Sequence, residues 1–344
     1  MRAVRIHAYH EPVRYEEVPD PEILGPGEVL IKIAGAGVCR TDLHIVEGIW
    51  RDALGDPRLP YIIGHENAGH IHQVGSGVTE LTVGDPVILH PLMTCGLCSA
   101  CRAGNDMHCV NGRFPGLDGT DGGYAEYMRT SVRSVVKLAP GTDPISLAPF
   151  ADAGITAYHA VKKMTPLTAP GSVVAVIGIG GLGHFAVQIL RALTPATIIA
   201  VDSASARLQF AESLGAHRGV LASNDGGVAQ VRALTAGRGV DVVIDFVGEH
   251  HTPGAGVAML AKGGTYSVVG YGGLLEVPTL TFVNQEINVA GNLVGTYNEL
   301  VELMELNRQG LVTISATRYP LAEAGKVLDA LDRGEIMGRA VLVP

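Results

Sequence analysis

The cysteines carry the most chemistry in this chain, and there are five of them. Cys95, Cys98, Cys101 and Cys109 are spaced C-x2-C-x2-C-x7-C, while Cys39 stands alone upstream of Gly64-His65-Glu66. Four thiolates on one loop can close a tetrahedron around Zn²⁺ and leave no coordination position open. A single Cys with a His and one further ligand leaves a vacancy for water or substrate. The expectation is two zinc ions per chain, one structural and one catalytic. His108, beside Cys109, is a decoy donor that a four-thiolate site does not need.

Two other fates of these cysteines compete with zinc. Disulfides need an oxidising compartment, yet the N-terminal MRAVRIHAYHEPVRYEEVP holds no apolar signal segment, and five is an odd number to pair. An iron–sulfur cluster is the sharper rival, because C-x2-C-x2-C also opens a ferredoxin spacing. There the fourth cysteine follows after three residues and precedes Pro; here seven residues intervene and Val110 follows.

A second constellation is Gly178-Ile-Gly180-Gly181-Leu182-Gly183, a G-x-G-x-x-G pattern. In a chain with 45 glycines the pattern alone says little. Here it follows the apolar run VVAVIG, opens an amphipathic stretch, and is followed by Asp202 at the end of the next apolar run, the context that makes it a dinucleotide fingerprint. The first glycine permits the turn, the second lets backbone N–H groups approach a pyrophosphate, and the third allows close strand–helix packing. The helix N-terminus adds partial positive charge. Asp202 can accept from the adenosine ribose hydroxyls and repel a 2′-phosphate, which favours NAD over NADP. It could instead serve only as a helix N-cap, and small Ser203 and nearby Arg207 leave room for NADP.

The elements that must position these groups change character midway. The chain has 344 residues, enough for two cores, with 47% hydrophobic and 17% charged residues, the balance of a globular protein. A net charge of −9 and the lack of any Lys/Arg run exclude a nucleic-acid footprint. The first half reads as irregular and β-rich, with strands over Glu28–Ala34 and Val83–Leu89 and a turn at Leu24–Gly27. After the Pro170–Gly171 break, apolar strands alternate with helices: VVAVIG, a helix to about Leu193, Thr197–Asp202, a helix RLQFAESL closed by Gly215, then Asp241–Val247 and Thr265–Gly270. Fully apolar strands separated by helices imply a parallel sheet covered on both faces. A helical LAEAGKVLDALDRG and a strand RAVLVP close the chain. Ser172–Leu193 is apolar enough to mimic a membrane span, but glycines, His184, Gln188 and Arg191 interrupt it; no membrane association is expected, and the default address is the cytoplasm.

These motifs, in this order, resemble the zinc-dependent medium-chain alcohol dehydrogenases, especially bacterial secondary-alcohol and carbonyl-reducing members. The likeness rests on Cys39-Arg40-Thr41-Asp42, Gly64-His65-Glu66, the four-cysteine lobe, GIGGLG with Asp202, and Gly338-Arg339, and it spans essentially the whole chain. It implies an α/β two-domain fold: a β-rich GroES-like catalytic domain over 1–153 and 293–344, and a Rossmann doubly wound parallel sheet over 154–292. It also implies NAD and zinc as cofactors, a small alcohol or ketone as substrate, and a homotetramer.

By the same resemblance Cys39 and His65 ligate the catalytic zinc. The family's third ligand is commonly a Cys, and the matching segment here is Asp152-Ala153-Gly154-Ile155-Thr156. A carboxylate oxygen binds zinc at normal distance, and one thiolate with one carboxylate balances the charge as two thiolates do. The alternative is that Asp152 caps a helix beginning near Gly154 and Glu66 is the third ligand. Asp42 is expected to accept from the His65 ring, and Glu66 to lie behind the metal. Thr41 contacts the substrate oxygen and His44 relays its proton, unless His44 is only a surface histidine. Arg40 and Arg339 pair with the pyrophosphate, Thr156 lies near the nicotinamide ring, and Val269 is a further cofactor-binding candidate. Ile49, Trp50, Leu54 and Met93 are candidate apolar walls for a secondary or aryl alcohol, or ordinary core. Rival functions are a zinc-dependent polyol dehydrogenase and a non-catalytic, zinc-stabilised NAD-binding protein.

Overall fold

The computed structural model describes residues 1–23, 25–51, 55–222 and 225–344. The chain divides into two units: residues 1–153, 296–304 and 314–344, and residues 154–295 and 305–313. The segment 305–313, expected with the first unit, belongs to the second. There Thr313 N and Oγ1 both donate to Gln188 Oε1, at 2.9 and 3.1 Å, and Gln188 Nε2 returns a bond to Thr313 O.

In the first unit the strand Glu28–Val38 is four residues longer than the sequence pattern indicates and runs directly into Cys39. It pairs antiparallel with Glu66–Val74, and the register sets Gly37 opposite Glu66. The residues that follow one strand and precede the other, Cys39 and His65, are therefore neighbours. Strands Arg339–Val343, Ala316–Pro320, Pro86–Leu89, Val135–Lys137 and Tyr127–Ser131 complete this seven-stranded sheet. The expected strand over Val83–Leu89 is confined to Pro86–Leu89, because Gly84 turns the chain at φ +93° and Asp85 accepts from Thr82 N. A small sheet of Arg2–Ile6, Arg14–Glu17 and Tyr61–Ile62 packs its apolar residues, Ile6 and Tyr61 among them, into the same core.

The second unit is the expected parallel sheet, and it has six strands. Across it lie Arg218–Leu221, Thr197–Asp202, Val173–Ile177, Val240–Asp245, Leu260–Val268 and Asn288–Gly291. The earliest strand sits inside the sheet and the order reverses beside it, the switch point at which open α/β sheets of this kind bind their ligands. Every residue from Val174 to Ile177 is buried, as a doubly covered strand requires. Ser172–Leu193 resolves into the strand Val173–Ile177 and the helix Gly183–Leu193, not a span. Among the described residues no helix is long and apolar enough to cross a membrane.

The glycine turn joining that strand and helix is dictated by contact. Gly178 has φ +85° and abuts Val247, and a Cβ on Gly183 would overlap the Gly178 carbonyl oxygen. We expect Gly183→Ala to destabilise the protein by roughly 2–4 kcal/mol, since backbone rather than a flexible side chain must yield. A urea midpoint equal to that of the wild type would contradict this packing.

Candidate metal centre and dinucleotide turn

Cys39 is the N-cap of the helix Arg40–Val46, and Asp42 at the third helical position closes the cap by accepting from Cys39 N at 2.9 Å. The same carboxylate reaches the other way: its Oδ1 lies 3.2 Å from His65 Nδ1. On the far side of the ring, His65 Nε2 is 3.4 Å from Asp152 Oδ2. Cys39, His65, Glu66 and Asp152 each present a donor atom within 4.8 Å of the others, and all four residues are buried. Asp152 arrives at the end of the tight segment Ile145–Ala151, with φ −131° and ψ −60°, just before the helix Ala153–Met164.

Glu66 is differently placed. One oxygen accepts from Ala153 N at 3.0 Å and the other is paired with the guanidinium of Arg339. Burial pushes the Glu66 carboxyl up to about 7 against the pull of Arg339. Arg339 is itself buried, so its guanidinium is committed to Glu66 while its Nε has no hydrogen-bond partner. Burial opposes charge on His65, but Asp42 and then Asp152 outweigh it and hold the imidazole above its ordinary pKa. Neither ring nitrogen nor Asp42 Oδ1 makes a well-formed hydrogen bond. Buried, unsatisfied nitrogen beside a thiol and two carboxyls is the donor set a zinc ion would satisfy.

The four-cysteine lobe shows the same fit by different means. Cys95, Cys98, Cys101 and Cys109 also converge within 4.8 Å. Backbone N–H groups point at the sulfurs: Cys95 N donates to Cys109 Sγ at 3.3 Å and Cys98 N to Cys95 Sγ at 3.4 Å. The N–H groups of Leu97 and Cys98 bring Cys95 down to about 6, and those of Cys101 and Val110 lower Cys98. Burial pushes Cys101 up to about 12. His108 is exposed on the turn Asp106–His108 and stands outside the donor set.

In the second unit the glycine turn fits a dinucleotide. A Cβ on Gly180 would meet nothing within 4 Å, so the space beside the turn is open where backbone must approach a phosphate. Gly181 and Leu182 follow, half-buried, before the helix begins at Gly183. Asp202 ends its strand and accepts from Ile179 N at 2.7 Å and Ala204 N at 2.9 Å. It thus braces the turn while each oxygen keeps a further lone pair. Val269 follows the strand Leu260–Val268 and donates to Asp245 O. Thr156 is buried on the helix Ala153–Met164, and Arg207 is half-buried on Ser205–Ser213.

The remaining predicted residues are also placed. Thr41 and His44 share one face of their helix, half-buried and buried; Arg40 is exposed at its start. His44 is therefore no surface histidine. Trp50 packs against the first unit's core, Ile49 is about half exposed, and Met93 bridges to Arg113. Leu54 lies outside the described residues. Two residues at the centre carry no motif and escape sequence reading. Phe114 stands edge-on to His65 with ring centroids 6.0 Å apart, and Tyr124 donates to Asp42. Only the aromatic character of RFPG and GGYAEY could have flagged them.

The alcohol dehydrogenase GroES-like domain family matches residues 25–140, and the zinc-binding dehydrogenase family matches residues 181–308. An NAD-dependent alcohol dehydrogenase of Sulfolobus acidocaldarius is 36% identical, covering 99% of each chain. A D-arabinose 1-dehydrogenase (NADP⁺) of Saccharolobus solfataricus is 35% identical over 100% of this chain and 97% of its own. The crystal structure of an alcohol dehydrogenase from Aeropyrum pernix superposes with a TM-score of 0.97 at 50% identity, covering 100% of both chains. The chain belongs to the zinc-dependent medium-chain alcohol dehydrogenase family.

Metal analysis should separate the two centres. Cys101→Ser is expected to lose the lobe metal and lower thermal stability, because the metal's binding energy contributes to folding. Cys39→Ser should remove metal from the mixed site with the lobe still loaded. Equal metal loss in both variants would refute two independent sites.

Proposed function

We propose that this protein is an NAD(H)-dependent zinc enzyme interconverting secondary or aryl alcohols with ketones or aldehydes. The observation that carries the reading is the buried Cys39–His65–Asp152 constellation beside a separate four-thiolate lobe. Three protein donors leave a tetrahedral ion one open position, and four do not. A non-catalytic role predicts no such second site.

Asp152 is the third ligand in this reading, because both Glu66 oxygens are already engaged by Ala153 N and Arg339. When bound, zinc supplies a Lewis acid and NAD a hydride acceptor. The chain's own residues supply position and proton traffic. Asp42 fixes the His65 ring, the Thr41 hydroxyl takes the substrate proton, and His44 passes it on. The Gly178–Gly183 turn and the helix behind it hold the pyrophosphate, assisted by Arg40, whereas Arg339, expected to share that task, is buried and paired with Glu66 instead. Asp202 selects the unphosphorylated ribose, Arg207 borders the adenosine end, and Thr156 and Val269 serve the nicotinamide end. Phe114, edge-on to His65, gives the substrate region an apolar wall, which suits a secondary or aryl alcohol.

The likeness to a D-arabinose 1-dehydrogenase favours a second reading, a sugar or polyol substrate. An NADH-oxidation screen over ketones and aldehydes, run beside NAD⁺ reduction with 2-alkanols, arabinose and sorbitol, separates the two.

We further propose a homotetramer and a cytoplasmic address. The strand Asn288–Gly291 forms an open sheet edge, and nearby Leu280 and Val283 are about three-quarters exposed. Five free cysteines are held for metal and need a reducing compartment.

Cys39→Ser and His65→Ala should each lower kcat/KM by about a thousandfold or more, the loss of roughly 4 kcal/mol of Lewis-acid stabilisation, with folding intact. Activity within tenfold of the wild type in either variant would overturn the mechanism. Asp202→Asn should raise KM for NAD and lower the ratio of kcat/KM for NAD over NADP. An unchanged ratio would remove Asp202 from coenzyme selection.

A further inference from the structure

We propose that Tyr124 is a positioning residue for the metal-binding imidazole, acting on His65 through Asp42 and through the backbone at Gly64. This rests on the zinc reading of the mixed site above. Tyr124 is one of the largest fully buried side chains of the protein, yet it belongs to no motif. Its hydroxyl lies 2.7 Å from Asp42 Oδ2 and 3.2 Å from Gly37 O. A phenol has one proton, and the shorter, carboxylate-directed contact takes it. Burial, reinforced by the Asp42 charge, holds the phenol well above its ordinary pKa, so the hydroxyl is a permanent donor.

Asp42 Oδ2 then accepts from two directions, Tyr124 Oη and Cys39 N. With that oxygen pinned, Oδ1 is left facing His65 Nδ1 at 3.2 Å. The orientation of the carboxylate is thus set by the tyrosine and by the backbone of the very residue that supplies the thiolate. A freely rotating carboxylate would leave the imidazole's tautomer and tilt unfixed.

The ring of Tyr124 acts on the same histidine from its other neighbour. Gly64 has φ +97°, and a Cβ there would overlap the Tyr124 ring. Tyr124 N donates to Ile63 O at 3.0 Å and Gly123 N to Gly64 O at 2.8 Å, so this segment is stitched to the chain entering His65. The glycine of Gly-His-Glu is required here by the tyrosine above it. One side chain therefore restrains both the backbone and, through Asp42, the ring nitrogen of a single ligand.

Tyr124→Phe keeps the ring over Gly64 and deletes only the donor. The test is zinc release from the loaded protein to a chromogenic chelator, with the two phases assigned from Cys39→Ser and Cys101→Ser. We expect Tyr124→Phe to speed release from the mixed site about tenfold, the lower end of what losing a ligand's supporting hydrogen bond costs, and to leave the lobe phase unchanged. Unchanged release at the mixed site overturns the proposal. So does equal acceleration at both sites, which would mark a general loosening. A wild type that yields one zinc per chain overturns the zinc reading and the proposal with it. Should Tyr124→Phe not fold, a crystal structure of the zinc-loaded wild type decides. A Tyr124 hydroxyl bonded to Asp42 while Asp42 faces His65 Nδ1 supports the role, and a hydroxyl turned elsewhere overturns it.

Discussion

A thiol and three carboxyl groups share one buried space around a single imidazole, and most of the first unit's architecture serves to make that tolerable. Cys39, Asp42, Glu66 and Asp152 cannot all carry charge in a dry interior without compensation. Part of the compensation is built in, since Arg339 is buried against Glu66 and backbone N–H groups of Cys39 and Ala153 point at Asp42 and Glu66. The remaining excess, centred on Cys39, His65 and Asp152, is what a divalent cation would neutralise. Arg339 also sets Glu66 apart from its neighbours, since the guanidinium pairs with one Glu66 oxygen while the other accepts from Ala153 N.

Position follows from strand pairing. The register that sets Gly37 opposite Glu66 delivers Cys39 and His65 side by side from two strands that diverge widely in sequence. Asp152 comes from yet another segment, as the chain leaves the first unit for the second. The lobe works on an opposite plan. Its four sulfurs are close in sequence, so local turns and N–H···S bonds suffice to gather them, and little of the rest of the fold is needed.

The second unit separates binding from support in a similar way. Glycine is required at Gly178 and Gly183 by neighbouring protein atoms, whereas the space beside Gly180 is open. Asp202 both braces the turn and ends the strand that must present it to a ribose. Asp245, fully buried, accepts from Val247 and Gly248 N–H groups and from the Tyr266 hydroxyl, holding a second turn at the same end of the sheet.

Short-range regularities were legible in the residues themselves. The cysteine spacing, the glycine turn with its flanking apolar runs, the strand–helix alternation after Pro170 and the helix closed by Gly215 all depend on neighbours a few positions apart, and local chemistry governs them. Strand ends were less legible: Glu28–Val38 outlasts its apolar alternation because sheet pairing carries Gly35 and Gly37 along. Long-range facts were not legible at all. That Glu66 is bound to Arg339, that segment 305–313 joins the second unit through Gln188, and that Phe114 and Tyr124 flank His65 are consequences of packing between distant segments. No period or spacing encodes them, because the contact exists only once the core has closed.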